Sequence, residues 1–563
     1  MPHATGEEVP RLAPTYLPRE PHATVLYRLV KEHGEEFLRY ARESYDGRLP
    51  RYVLEELRRY LGCGDFGRGF VHLKCKKCEH ELLVAFSCKR RALCPSCAGR
   101  RMAAQAAHLV DCVLPAAPLR QFVLSFPFEL SLLAATRPDV LRALARIHAA
   151  ELARHYKQAA RSDGVTGKLH TGAVTFIQRF GSSLNLHTHL HTCALDGVYV
   201  EGDQGALRFV HARPPTRTEL CALAERVALR VTAWLEKHGF TKEHDHAPNE
   251  SKAPSFAETL AMVGAQRGTV ENVTDDKDAA GAALPKTNEP NAPRCDDAVT
   301  VRGFNLHASV TIQADDDLGR ERMCRYGLRP PFSLSRFRRL RDGRIAYRIK
   351  KSARRASRCR IMTPVECIAR LCALVPPPFY PLTRFHGVLA PRAKLRPRIV
   401  PKLPETAKRV HEHAATSSRR EKSRPAEPPP PSPDRRDRSD GGNVIPTGVP
   451  VSATTLAANL GGADVPAPNI VSAKHLSRIA GGALYAASSS VPWATLLART
   501  FDVDVKACVR CGGRLEVRAV VSDRDKAADI LSGVPIRPLS ARAPPSATTV
   551  TVQYEYDEEV ALA

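Results

Sequence analysis

Leu184-Asn185-Leu186-His187-Thr188-His189-Leu190-His191-Thr192, running on through Cys193-Ala194-Leu195-Asp196-Gly197-Val198-Tyr199-Val200, is the stretch that decides how this chain folds. Histidine recurs at every second residue. Side chains of a strand alternate between its faces, so a strand here puts His187, His189 and His191 on one face and Leu186, Thr188, Leu190 and Thr192 on the other. Imidazoles spaced this way on a rigid strand hold one divalent ion from one side. A polar, half-exposed strand is the plainer reading, and the surrounding chain has to choose between the two.

Immediately upstream, residues 171–180 read as a second strand that reaches the histidine strand across a Gly181-Ser182-Ser183 turn. Before it, residues 138–157 carry Val140, Leu141, Leu144, Ile147, His148 and Leu152 at helical spacing, and residues 120–127 alternate as a strand. Strand, helix, strand, turn, strand gives a compact α/β unit with an antiparallel pair at its end. Downstream, residues 219–237 form an amphipathic helix. Residues 244–296 turn polar and read as a surface insertion, and regular structure resumes over 299–312. Residues 317–325 form a short helix ending in Tyr326, stopped by Pro330 and Pro331. A hairpin over 336–350 turns at Asp342-Gly343, a helix spans 364–375, and Leu382 to Gly387 follow.

The chain has 563 residues, a formal charge of +25 and sixteen cysteines. Length predicts several cores, and so large a positive charge points to a polyanionic partner, most simply nucleic acid. No run of about eighteen apolar residues marks a membrane span. The opening residues lack the basic and apolar regions of a signal peptide, which predicts a cytoplasmic protein. Sixteen thiols in that setting predict metal binding rather than a disulfide framework.

Six cysteines fall between Cys63 and Cys97. Cys75-Lys76-Lys77-Cys78 and Cys94-Pro95-Ser96-Cys97 are two knuckles separated by a short strand-like segment, a spacing that supplies four thiolates to one structural Zn²⁺. Cys63 and Cys88 stand as substitutes for one ligand or as members of a second site. Lys89 and Arg90 edge this module and suit it to a DNA backbone. A further knuckle, Cys508-Val509-Arg510-Cys511, cannot close a site alone and needs two ligands from elsewhere. Residues 397–468 are rich in Pro, Ser, Arg and Asp, the composition of a disordered basic linker.

A two-histidine metal site, a basic surface and a zinc module suit phosphodiester cleavage. A divalent ion on neutral imidazoles polarises a phosphate oxygen, and a tyrosine nucleophile leaves a covalent phosphotyrosine. A phenol with a pKa of about 10 needs metal or cations to ionise. Tyr326 lies among Arg320, Arg322, Arg325 and Arg329, suited to both the phenolate and the DNA; a packed aromatic is the plainer alternative.

Several motifs, in this order, resemble the insertion sequence ninety-one family of rolling-circle transposases, within the HUH (His-hydrophobic-His) endonucleases. They are Phe86-Ser87-Cys88-Lys89 through Met102, Gln178-Arg179-Phe180-Gly181-Ser182-Ser183-Leu184-Asn185-Leu186 into His189-Leu190-His191, Cys324-Arg325-Tyr326 with Arg329-Pro330-Pro331, Phe385-His386-Gly387, and the last knuckle. The resemblance covers roughly 50–400 and 490–535. It implies an α+β fold, an HUH-type antiparallel, palm-like (RRM-like) sheet with helices. It also implies His189 and His191 as ligands of a catalytic Mg²⁺ or Mn²⁺, Gln178 as the third ligand, and Tyr326 as nucleophile. His187 becomes an additional neighbour. Arg325, Arg329, Lys89 and Arg90 are the expected DNA contacts, and single-stranded or hairpin element ends the expected partner in a bacterial, nucleoid-associated setting. Some members carry two tyrosines four residues apart; Arg322 occupies the earlier position here, so the chain resembles the single-tyrosine branch.

The expected organisation is a helical, four-cysteine zinc-binding DNA-docking domain over 1–115, a nuclease domain over 116–396 carrying the insertion at about 244–296, the linker over 397–468, and a small C-terminal unit over 469–563. A plasmid-type rolling-circle replication initiator and a catalytically inactive zinc-dependent DNA-binding protein are the rival functions.

Overall fold

The computed structural model describes residues 20–44, 49–202, 205–240, 270–272, 298–349, 358–402, 484–501 and 503–533. The polar insertion, apart from Val270–Asn272, and the linker beyond residue 402 lie outside the described residues. The architecture is α+β, as the family resemblance implies, and not the α/β unit that the element order suggests.

The chain begins with helices α1 (Val25–Ser44) and α2 (Arg51–Leu61), the hairpin strands β1 (Phe70–Cys75) and β2 (Glu81–Ala85), and α3 (Pro95–Cys112). A strand β3 (Leu119–Ser125) and helices α4 (Phe128–Thr136) and α5 (Pro138–Ser162) follow. Next come β4 (Lys168–His170), β5 (Gly172–Phe180), the histidine strand β6 (Leu186–Leu195), β7 (Gly197–Glu201), β8 (Leu207–His211) and α6 (Arg217–Lys237). Then follow β9 (Val270–Asn272), β10 (Ala298–Val301), β11 (Phe304–His307), β12 (Thr311–Ile312) and the tyrosine helix α7 (Asp317–Leu328). The remaining elements are β13 (Phe337–Arg339), β14 (Ile345–Ile349), β15 (Arg358–Met362), α8 (Pro364–Ala373), β16 (Thr383–Gly387), α9 (Arg396–Ile399), α10 (Trp493–Phe501), β17 (Leu515–Val521) and α11 (Arg524–Gly533).

The central sheet has the order β10-β11-β3-β6-β5-β16, with β12 also paired to β3, and every pair is antiparallel. The histidine strand is therefore interior to the sheet. Period-two alternation gives each strand two different faces. Phe122, Leu124, Ile177, Leu190 and Ala194 bury one face under α5 and α6, against Val140, Leu144, Ile147, Leu223 and Val227. Val174, Phe176 and Cys193 on the opposite face pack with Leu109 of α3 and Met323 and Cys324 of α7. Beneath the helix-covered face, Arg120 makes a two-pronged bond to Asp196 at 2.9 Å on each prong, and Tyr156 donates to the same carboxylate at 2.9 Å.

Two expectations about organisation change. The N-terminal helices do not close a core of their own: Leu26, Phe37, Val53, Leu57 and Leu93 bury together with Ile368, Leu371 and Cys372 of α8. The C-terminal segment is also no separate unit. Strand β17 pairs with β1, from Phe70 opposite Val521 to Cys75 opposite Leu515, and extends the β1–β2 hairpin to three strands. Arg499 of α10 bonds both oxygens of Asp111 in α3, at 2.5 and 3.0 Å, and Glu321 of α7 at 3.0 Å. The expected linker starts later than composition predicts, because Ile399 is buried in the core beside α7. Within the polar insertion, β9 adds an edge strand to β15.

Candidate functional site

Register settles the faces of the central strands. His189 lies directly across from Gln178 on β5 and Ser125 on β3, and His191 across from Phe176 and Val123. Partners in such pairs share a face. His187, His189 and His191 therefore point to the α7 side, while Leu190 is fully buried on the other. Their rings follow one another along the strand, with centroids 5.2 Å apart for His187–His189 and 4.9 Å for His189–His191.

Helix α7 crosses this face closely because Gly327 has no side chain: a Cβ there would lie 2.3 Å from the Phe176 ring. Asp316 caps the start by accepting from Gly319 N at 2.7 Å. The helix runs past the expected end, so Tyr326 sits in its last turn rather than at its terminus. The cause is Gln178, whose amide nitrogen donates to Tyr326 O at 2.8 Å and Gly327 O at 3.2 Å, satisfying carbonyls left open at a helix end. The ring of Tyr326 stands 5.2 Å from that of His191, tilted by 75°. Arg329 completes the group, with its guanidinium 4.5 Å from the Tyr326 ring centre and its Nε donating to Gln178 Oε1 at 3.3 Å.

Both inner histidines are held neutral, the state that binds metal. Burial, with His187 beside it, pulls His189 down to about 3, and burial, with His189 beside it, holds His191 well below its ordinary value. Nδ1 of His189 lies 3.0 Å from His187 O and donates to it, leaving the lone pair on Nε2. The side-chain nitrogen of Gln121 lies 2.9 Å from Nδ1 of His191 and, so placed, donates to it. Turned over, the same amide offers its oxygen to Nδ1–H, and that orientation leaves Nε2 of His191 as the free ligand atom. Nε2 of His191 is buried with no hydrogen-bond partner among the described residues. The pair thus fits a divalent ion bound through two Nε2 atoms. Among the described residues, compact groups of three or more His, Cys, Asp or Glu donors occur only at the cysteines, so no acidic third ligand joins the histidines. Gln121 was missed by sequence reasoning. It sits on the same face of β3 as Val123 and Ser125, but only strand pairing shows that this face is the histidine face.

The expected DNA contacts divide. Arg329 belongs to the site, and Lys89 is exposed. Arg90 is half-buried with Nη2 3.4 Å from Glu55. Arg325 is a correction: it is fully buried, with Nη2 2.5 Å from Glu321 in the same helix and 3.4 Å from Thr500 Oγ1, so its guanidinium faces the interior.

The cysteines are also regrouped. Cys94 and Cys97 meet Cys63 and Cys88, not Cys75 and Cys78, with Sγ separations of 3.7 Å for Cys63–Cys97 and 3.5 Å for Cys88–Cys97 and Cys63–Cys94. Cys75 and Cys78 face Cys508 and Cys511. The single four-thiolate set expected from spacing is therefore split between two clusters. The reason is geometric: the β1–β2 hairpin carries the first knuckle to one end of its sheet, while α3 starts at the second knuckle against α2.

Comparison with known families agrees with this anatomy. Residues 172–396, which span the histidine strand and Tyr326, match a family described as putative transposase, and residues 29–126 match the transposase zinc-binding domain. The zinc-binding match and the cysteine clusters support structural zinc. Together the two matches make the chain similar to the insertion sequence ninety-one family of transposases. It is 30% identical over 154 residues to the "Transposase for insertion sequence element IS801" of Pseudomonas savastanoi pv. phaseolicola, a match covering 27% of this chain and 35% of that relative. The chain thus spans about a third of the length of the curated relative it matches (35%). No solved structure matches. Among the described residues, no helix is long and apolar enough to cross a membrane.

Proposed function

We propose that this chain is the DNA transposase of a rolling-circle insertion element, an HUH-type enzyme that nicks and rejoins single-stranded element ends through a 5′-phosphotyrosine. The observation that carries the reading is the placement of Tyr326 5.2 Å from His191 on the shared face, with Arg329 over its ring. The Tyr326 phenolate oxygen attacks phosphorus in line, the bond from phosphorus to the 3′-oxygen breaks, and a free 3′-hydroxyl leaves. The 5′-phosphate stays on tyrosine, so a later 3′-hydroxyl attacks it and restores both the phosphodiester and the phenol. A Mg²⁺ or Mn²⁺ ion on Nε2 of His189 and His191, when bound, polarises a non-bridging phosphate oxygen and stabilises the departing one.

The protein's part is to bind and orient. Arg329, stacked 4.5 Å from the Tyr326 ring centre, is the cation suited to the phenolate and to a phosphate. A cavity of about 500 Å³ opens beside Gln178 and Arg329 and is lined by Arg91, Arg101, Arg179, Arg329 and Arg396, with no Asp or Glu in its wall among the described residues. That chemistry suits the backbone of a single strand leading into the site. Hairpin or single-stranded ends and action at the bacterial nucleoid follow from the same reading.

A replication initiator would use the same chemistry at an origin, and an inactive DNA-binding protein would keep zinc without nicking. Oligonucleotides from both strands of candidate element ends, incubated with and without Mn²⁺, separate the three. Metal-dependent nicking and joining at an end supports the transposase. Cleavage confined to an origin, or binding with no cleavage, overturns it.

A further inference from the structure

We propose that Cys75, Cys78, Cys508 and Cys511 form a second, closed Zn²⁺ site that ties the C-terminal segment of the chain to its N-terminal module. The zinc-binding family match ends at residue 126, so the last two ligands lie far outside it. The four Sγ atoms lie within 4.8 Å of one another, with Cys75–Cys511 at 3.6 Å and Cys78–Cys508 at 3.5 Å. A tetrahedral ion with Zn–S bonds of about 2.3 Å places its sulfurs about 3.8 Å apart. A disulfide needs about 2.05 Å. The spacing is that of a metal shell.

The backbone around the sulfurs is shaped for it. Lys77 N lies 3.4 Å from Cys75 Sγ as donor. The second knuckle is closed by Cys508 N donating to Gly513 O at 2.7 Å and Gly512 N to Cys508 O at 2.9 Å, with Gly512 at a φ of +67°. A Cβ on Gly513 would lie 3.1 Å from Cys75 Sγ and 3.2 Å from Cys511 Sγ, so glycine leaves room for the shell. Four thiolates on Zn²⁺ carry two net negative charges, and Lys76, Lys77, Arg510 and Arg514 surround them in sequence. With four protein ligands there is no open position, so the ion's role is structural.

Its consequence reaches the tyrosine. The ion closes one end of the β17–β1–β2 sheet, and the same C-terminal segment carries Arg499 to Asp111 and Glu321. Zinc at this site therefore fixes the segment that buttresses α7.

The test is zinc content of the full-length chain purified without chelator, with Co²⁺ substitution as a spectroscopic check of thiolate coordination. Two zinc ions per chain are expected. The double variant Cys508→Ser/Cys511→Ser should hold one, and Cys63→Ser/Cys97→Ser should hold the other one. One zinc per wild-type chain, or two in the Cys508→Ser/Cys511→Ser variant, overturns the proposal. If the variant does not fold, the wild-type stoichiometry and the Co²⁺ thiolate bands, two sites or one, still decide. Zinc counting is independent of nicking, so a chain with two zincs and no nuclease activity would overturn the proposed function and leave this site standing.

Discussion

Gln178 reaches from the strand beside His189 to the backbone of Tyr326, donating to its carbonyl at 2.8 Å. The residue expected to be a third metal ligand lies directly across from His189; its amide nitrogen bonds the tyrosine helix and its oxygen accepts from Arg329 Nε at 3.3 Å. Gln178 links the histidine strand's neighbour to the helix that carries Tyr326.

This link makes Gln178 a positioning residue. Gln178→Ala should lower nicking by about a hundredfold, the effect of misplacing a reacting group by about 1 Å, with Mn²⁺ affinity little changed. Gln178→Glu should be no better than alanine, because a carboxylate has no N–H for the carbonyls of Tyr326 and Gly327 and would face them with like charge. Mn²⁺ titration alongside single-turnover nicking checks both. A large rise in Mn²⁺ affinity in Gln178→Glu would instead identify a ligand.

Gln121 sets the donor atom of His191. Replacing it with methionine removes the 2.9 Å contact to Nδ1 and frees the ring to turn or change tautomer. Loss of such a partner costs about 10–100-fold in metal affinity. Mn²⁺ affinity measured in Gln121→Met should fall in that range, and an unchanged affinity would remove Gln121 from the site.

Much of this was legible in local pattern. Alternation in 171–180 and 184–195 predicts two antiparallel strands, and the two strands form where expected. Helical spacing in 138–157 and 219–237 predicts the helices that cover one face. What local pattern lacks is the partner across the sheet. Gln121 has no meaning until β3 pairs with β6. The two early knuckles look like a pair because they are close in sequence, yet Cys75 and Cys78 meet cysteines more than four hundred residues away. Arg325 reads as a DNA contact among other arginines. Its helical spacing from Glu321 and the distant Arg499 bury it instead.

That buried network supports the fold. Burial pushes the Glu321 carboxyl up, but Arg325 and Arg499 outweigh it and hold the group below its ordinary value. Arg499→Ala would leave Asp111 without its guanidinium partner in the interior. Breaking one side of such a pair costs about 3–5 kcal/mol. Denaturant unfolding should show a loss of that size, and a loss under about 1 kcal/mol, the worth of an exposed pair, would mean the network is solvated.

Acid should weaken the fold through the helix-covered face. Burial, then neighbouring His386, holds His148 down to about 3, and burial, then Arg384, holds His386 down to about 4. In the unfolded chain both titrate near 6.5. The unfolded state therefore takes up protons that the folded state refuses, so stability is full above about pH 6.5 and falls as pH drops toward about 4. Urea midpoints between pH 7.5 and pH 4.5 should decline, and His148→Leu should flatten the slope. An equal slope in that variant would exclude His148 as a source.

The central claim is that Tyr326 is the nucleophile. The direct measurement is covalent capture of a labelled single-stranded element end by the full-length protein with Mn²⁺, read on a denaturing gel with the attached residue mapped by mass spectrometry. The account predicts a protein–DNA adduct on Tyr326, and in Tyr326→Phe no adduct, with binding of the same strand nearly unchanged. An adduct that persists in Tyr326→Phe, or maps to another residue, contradicts it.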